Sequence, residues 1–107
     1  MPEPEITISA KILELKVEYI SALRVTFDVL TEIFADAGSL SLQDSRLIVL
    51  ETMAHQQSGN ASLFGFDLLG QKASQAKQAL DRSPRDNASL LIIMALWQQE
   101  LLNCIQN

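Results

Sequence analysis

The stretch that decides the fold reads SLQDSRLIVLETMAHQQSGNASLFGFDLLGQKASQAKQALDR (residues 41–82). Apolar residues recur in it at steps of three and four, as on the buried face of an amphipathic helix. They are Leu47, Leu50 and Ala54 before Gly65, and Leu69, Ala73, Ala76 and Leu80 after it. Gly65 interrupts the pattern and suits the left-handed turn that ends a helix. The stretch therefore predicts a helical hairpin, with one helix ending at about Phe64 and the next spanning about Asp67 to Arg82.

Similar stripes on both sides of the hairpin predict two more helices. The first should extend from about Ser9 to Ala37, with Ile12, Leu15, Tyr19, Leu23, Phe27, Leu30 and Phe34 inward. The last should carry Leu90, Ile93, Met94, Trp97 and Leu101 and end near Ile105. No alternating strand pattern competes with this interpretation. We therefore predict an all-α fold, an antiparallel up-down four-helix bundle over residues 9–107, after a short tail at residues 1–8.

Local signals support the predicted helix ends. Gly38 suits the position just after a helix. Ser41 and Asp44 have the spacing of a capping box, with Asp in place of the usual Glu or Gln. Ser83 can cap the last helix, because Pro84 fits its first position and Asp86 can reach back to the cap.

Composition excludes several classes of function. The chain has 107 residues, one cysteine (Cys104) and a net charge of −5, so it has no internal disulfide and a poor surface for nucleic acid. No positively charged segment precedes an apolar stretch at the start, so we expect no signal peptide. The apolar run Leu90 to Trp97 is about half of what a membrane span needs. We therefore expect a cytoplasmic monomer that binds neither nucleic acid nor membrane.

The chain has one histidine, His55, inside a predicted helix. Gly59 follows one turn later on the same face, where glycine costs about 1 kcal/mol relative to alanine and so calls for a reason. Thr52, Gln56 and Ser62 make the surroundings polar, and we expect them to contribute to a docking surface for a partner. The pattern indicates an imidazole that another protein must reach.

The segment around His55 resembles the histidine-containing phosphotransfer (HPt) family. That family's motif reads Ala-His-x-Leu-Lys-Gly-x-Ala, followed by a Leu-Gly pair and a further Leu. At matching offsets this chain has Ala54, His55, Gly59, Ala61, Gly65 and Leu69. The motif covers about a third of the chain, and the four predicted helices agree with the family's fold.

The resemblance implies a function and a division of roles. HPt proteins carry a phosphoryl group between aspartates of receiver domains in bacterial-type phosphorelays and have no ATPase or kinase activity. His55 would be the phosphoacceptor, and Gly59 would leave room for the phosphoryl group and the receiver. The partners would be response-regulator receiver domains and possibly a hybrid histidine kinase. The chain itself would need no cofactor, since Mg²⁺ would come with the receiver.

The chain departs from the family motif at two positions. Gln57 stands where the family has Leu, and Ser58 stands where it has a Lys that helps to hold the phosphoryl group. In a hairpin turning at Gly65, Lys77 lies across from His55 and could supply that cation; Lys72, closer to the turn, is the less favoured source. Ser58 could bond the phosphoryl oxygens or its own backbone. Glu51, one turn before His55, could accept a hydrogen bond from the ring or stay solvated.

Three functions remain open from the sequence. The first is a stand-alone phosphotransfer protein with His55 as acceptor. The second is an HPt-like adaptor or docking module that binds signalling partners without phosphorylation, which the missing lysine favours. The third is a helical dimerisation fragment of a histidine kinase, which four helices in one chain disfavour. The structural alternative for Gly59 is close helix packing.

Overall fold

A computed structural model describes residues 4–36, 45–82 and 87–106 of the protein. It contains four α-helices: α1 (Pro4–Ala35), α2 (Ser45–Asn60), α3 (Asp67–Asp81) and α4 (Asn87–Gln106). A short 3-10 helix, Ala61–Phe64, continues α2. The described residues contain no strand, and the four helices pack against each other. The prediction of an all-α bundle is therefore confirmed.

The helices form a ring in chain order. The pairs α1–α2, α2–α3 and α3–α4 are in contact, and α4 closes the ring against α1. Two polar contacts show that α1 and α2 are antiparallel. At one end the Arg46 guanidinium donates to Asp36 at 2.9 Å, and at the other the Tyr19 hydroxyl donates to Asn60 at 2.8 Å. The first two helices therefore have opposite directions.

The predicted inward residues of the last three helices form the core. Those fully buried are Leu47, Leu50, Ala54, Leu69, Ala73, Ala76, Leu80, Leu90, Met94, Trp97 and Leu101. Ile93 packs against this cluster and is partly buried. The spacing of apolar residues predicted the buried side chains of these three helices correctly because each helix packs against its neighbours.

The first helix differs from its prediction. It begins at Pro4 rather than Ser9 and ends at Ala35 rather than Ala37. Ile12 is 56% exposed and Leu15 is 41% exposed, so the prediction that both face the core is wrong. The reason is length: α1 has 32 residues, whereas the other helices have 15 to 20. The N-terminal part of α1 therefore extends beyond the bundle, and Leu23 is the first fully buried side chain in the part of α1 from residue 10 onward.

Gly65 ends the α2 segment as predicted. Its φ is 81°, in the left-handed region, and its N–H donates to Ser62 O at 3.0 Å. The Phe66 N–H donates to Ala61 O at 3.0 Å, which completes the reversal into α3. The other predicted caps, at Gly38, Ser41–Asp44 and Ser83–Asp86, lie outside the described residues.

An aromatic cluster fixes α1 to this turn. The Tyr19 ring stacks on Phe64 with 4.3 Å between centroids and lies 6.3 Å from Phe66. The Lys16 ammonium lies 5.2 Å above the Phe66 ring. Burial, with a smaller contribution from Cys104, raises the pKa of Tyr19 to about 12. This cluster marks the point where α1 leaves the bundle.

The core contains one polar network that joins three helices. Gln57 is 5% exposed and lies on the inward face of α2. Its side-chain oxygen accepts a hydrogen bond of 2.9 Å from the Trp97 indole, and its side-chain nitrogen donates one of 3.0 Å to the Thr26 hydroxyl. Both functions of the amide are satisfied, so its burial is not penalised. The network ties α1 and α4 to α2.

Helix α4 also meets the length and composition criteria for a membrane-spanning helix. Among the described residues it is the one helix long and apolar enough to cross a membrane, judged by length and composition. Core helices of water-soluble proteins meet the same criterion, and α4 turns Leu90, Met94 and Trp97 into the bundle. The criterion therefore assigns no location to the protein.

We expect Gln57→Ala to lower the free energy of unfolding by about 1–3 kcal/mol, because the buried Trp97 indole would lose its acceptor and the Thr26 hydroxyl would lose one of its partners. Urea unfolding followed by the fluorescence of Trp97, the only tryptophan, measures the change. Gln56→Ala is the matched control and should change stability by less than about 0.5 kcal/mol, because Gln56 is exposed. Equal losses in the two variants would contradict a structural role for the network.

Candidate functional site

His55 lies on the solvent side of α2 and is exposed. Its neighbour Ala54 is buried in the core, and Gln57, two residues on, points inward. The imidazole lines a shallow, open depression between α2 and α3. The residues around it are Ile48, Glu51, Thr52, His55 and Lys77. The single histidine is therefore accessible to a partner protein.

Lys77 comes to this depression from α3, as the hairpin register predicts. Its ammonium lies 3.2 Å from Asp81 Oδ2, one turn further along the same helix. Lys72, nearer to Gly65, does not line the depression. The positive charge beside His55 is thus engaged by a carboxylate of its own helix.

Two carboxyl groups complete the charged cluster. A side-chain hydrogen bond with Glu51, followed by the contact with Lys77, lowers the pKa of the Asp81 carboxyl. A smaller contribution to the lowered pKa comes from the charge of His55. This interaction links Glu51 on α2 to Asp81 on α3. Within the described ranges no three or more potential ligands converge into a metal site.

Gly59 leaves open space one turn after His55. A Cβ built on Gly59 would have no neighbouring atom within 4 Å. Close helix packing therefore does not explain this glycine. The approach between α2 and α3 occurs instead at Gly70, where an added Cβ would lie 3.6 Å from Ala61 Cβ and 3.8 Å from Gln57 O. The sequence analysis did not single out Gly70.

The hydroxyl groups near His55 are bonded to the backbone of α2. Ser58 Oγ donates to His55 O at 2.8 Å. Of the two alternatives predicted for Ser58, the structure therefore shows the bond to its own backbone. Thr52 Oγ1 donates to Ile48 O at 3.3 Å. Both hydroxyls would have to rotate to meet a ligand.

The residues expected to form a docking surface do not share one face. Thr52 lies beside His55 in the depression. Gln56 lines a separate groove between α1 and α2, together with Tyr19 and Met53. Ser62 is exposed on the 3-10 helix that follows α2. A partner that covers His55 therefore contacts Thr52 first.

Sequence reasoning missed the burial of Gln57. Its position continues the stripe Leu47, Leu50, Ala54 by a step of three, and this spacing was the available signal. The polarity of glutamine concealed it. The side chain supports the site from behind, because it fixes the helix that carries His55.

Searches of protein-family models, curated proteins and solved structures found no match to this chain. The site is therefore defined by its own geometry. That geometry combines an exposed imidazole with Glu51 on the same helix, an open position one turn away, and the Lys77 ammonium with its Asp81 carboxylate on the facing helix.

We expect Gly59→Ala to raise the free energy of unfolding by about 0.5–1 kcal/mol, because alanine favours a helix and meets no neighbour at this position. Gly65→Ala is the matched comparison and should lower it by about 1–2 kcal/mol, because its φ of 81° disfavours a side chain. Thermal unfolding by circular dichroism measures both. A destabilised Gly59→Ala would indicate that another element packs on this surface.

Proposed function

We propose that this chain is a histidine phosphotransfer protein of a multistep phosphorelay, with an HPt-like bundle and His55 as the phosphoacceptor. One observation carries the proposal: the exposed His55 ring shares a depression with Lys77, and Gly59 leaves the next turn of the helix open. The proposal implies a cytoplasmic protein whose partners are receiver domains. Mg²⁺ would be bound by the receiver and not by this chain.

The transfer is a nucleophilic displacement at phosphorus. A neutral imidazole nitrogen of His55 attacks the phosphoryl group of a receiver aspartyl phosphate. The nitrogen–phosphorus bond forms while the bond from phosphorus to the aspartate oxygen breaks, and the aspartate leaves as a carboxylate. Histidine suits this role because its neutral form is available near pH 7. The bundle contributes position and charge, on which phosphoryl transfer chiefly depends.

The two departures from the family motif have separate structural accounts. The family's Leu is replaced by Gln57, whose amide is satisfied by Trp97 and Thr26, so the bundle accommodates it. The family's Lys is replaced by Ser58, which bonds the backbone. Lys77 can take over the role of the cation once it leaves Asp81 for the more highly charged phosphoryl group.

Loss of the acceptor tests the proposal directly. We expect His55→Gln to abolish labelling by a phosphorylated receiver, because the chain has no other histidine. The exposed position should leave helix content and the thermal midpoint close to wild type. The measurement is radioactive phosphate on the chain that is stable to base and labile to acid. The same label on His55→Gln would contradict the proposal.

A second prediction concerns the cation. We expect Lys77→Ala to slow transfer, since it removes the ammonium beside His55, and Asp81→Asn to speed it, since it frees that ammonium. Lys72→Ala removes the same charge from the same helix outside the depression and serves as the control. Adding Ser58→Lys to Lys77→Ala should recover part of the rate. Equal rates for Lys77→Ala and Lys72→Ala would contradict a role for Lys77 and would mean that the receiver alone stabilises the phosphoryl charge.

One observation favours a second candidate, an HPt-like adaptor that binds signalling partners without phosphorylation. Glu51 places a carboxyl group in the depression beside His55, and the Asp81 carboxylate already engages Lys77 there. Such a cluster disfavours a phosphoryl dianion. An adaptor would bind a receiver with equal affinity as wild type and as His55→Gln and would never acquire label. The phosphotransfer proposal requires the label.

A further inference from the structure

A groove between α1 and α2 is separate from the depression between α2 and α3. The two share no lining residue, and the groove has a volume of about 280 Å³, close to the lower end for small-molecule sites. Ala22, Val25 and Met53 contribute apolar surface to it. Thr26 and Gln57 also line it, and they are only 1% and 5% exposed, so they form its buried floor. The groove therefore combines an apolar wall with buried polar groups, as sites for small molecules do.

The Gln57 amide directs its nitrogen toward α1. Its oxygen accepts from the Trp97 indole on α4, and one of its N–H groups donates to the Thr26 hydroxyl on α1 at 3.0 Å. A side-chain amide nitrogen carries two N–H groups. No acceptor in the described ranges bonds the second one, so it is available to a ligand in the groove.

The Thr26 hydroxyl lacks a strong acceptor for its own hydrogen. Its oxygen receives the bond from Gln57, and its hydrogen can go to Met53 Sδ at 3.1 Å or to Ala22 O at 3.4 Å. A thioether sulfur is a weak acceptor, and 3.4 Å is long for a hydrogen bond between two oxygens. The floor of the groove is therefore short of acceptors.

Asn60 places a further donor one turn along α2 from Gln57, in the same groove. The Tyr19 hydroxyl donates to Asn60 Oδ1 at 2.8 Å, so Nδ2 is the end of the amide that is left for a ligand. Nothing in the described part of the chain accepts a bond from it. Residues one turn apart are neighbours on a helix, so one oxygen atom between the two amide nitrogens can accept from both.

The ligand that suits this groove is a hydrogen-bond acceptor without charge. The oxygens of the Gln57 and Asn60 amides are occupied, so these side chains offer donors. Among the described residues no charged side chain lines the groove, and the chain has a net charge of −5. A carboxylate would lose its hydration there without gaining a cation, whereas a carbonyl oxygen needs only the donors.

We propose that the groove binds a small uncharged molecule with a carbonyl oxygen, such as a ketone, an ester or an amide. The oxygen accepts hydrogen bonds from the nitrogens of Gln57 and Asn60, and the apolar body covers Val25 and Met53. The proposal does not depend on phosphotransfer, because none of these residues lines the depression at His55.

Acetophenone, a ketone on an aromatic ring, tests the proposal by nuclear magnetic resonance of the isotope-labelled protein. It has about nine non-hydrogen atoms, so we expect a dissociation constant of about 1 mM. Binding should shift the side-chain amide signals of Gln57 and Asn60 and the indole signal of Trp97, which is bonded to Gln57. Benzoate has the same shape with a negative charge and should bind about tenfold more weakly. Unmoved amide signals at about 10 mM acetophenone, or equal binding of benzoate, would overturn the proposal.

Two pairs of variants locate the site. Asn60→Asp keeps an oxygen for Tyr19 but removes the donor, so it should weaken acetophenone binding about tenfold, whereas Ser62→Asp adds the same charge outside the groove and should not. Val25→Phe fills the groove and should also weaken binding about tenfold. Val17→Phe makes the same change at an exposed position of α1 outside the groove and should leave the affinity unchanged. Equal affinity within either pair would overturn the proposal.

Discussion

The buried bond between Trp97 and Gln57 is the interaction on which the site depends. Residues two positions apart on a helix point to nearly opposite sides, so the inward position of Gln57 holds His55 outward. Thr26 holds the same amide from α1. The rotation of α2 about its axis is therefore set from two directions by hydrogen bonds, whereas apolar contacts alone would tolerate a small turn.

The cluster of charged side chains around His55 depends in turn on this rotation of α2. Glu51 and His55 share the outer side of α2, and Lys77 and Asp81 share the facing side of α3. The two helices approach each other near the turn at Gly70, and the left-handed Gly65 fixes their direction. The hairpin therefore brings residues more than 20 positions apart in sequence to one small surface, with no contribution from α1 or α4 to its lining.

The sequence predicted the hairpin and its core well. Both helices of the hairpin pack against neighbours, so the spacing of apolar residues such as Leu50 and Leu69 identifies the buried side chains. The same spacing misplaced Ile12, since periodicity records which side of a helix is apolar and not where its neighbours end. Gln57 escaped notice because a satisfied polar residue looks like a surface residue in sequence. The engagement of Lys77 by Asp81 depends on side-chain geometry, which no spacing rule fixes.

The continuity of α1 has a mechanical consequence. One unbroken helix carries Ile12 outside the bundle and Thr26 inside it, so the two positions are joined by a stiff rod about 20 Å long. A twist applied to the projecting end reaches the Thr26 hydroxyl without loss in a loop or hinge. The hydrogen bond from Gln57 to Thr26 then resists this twist. Because Gln57 and His55 are on the same helix, the same bond keeps His55 in its orientation.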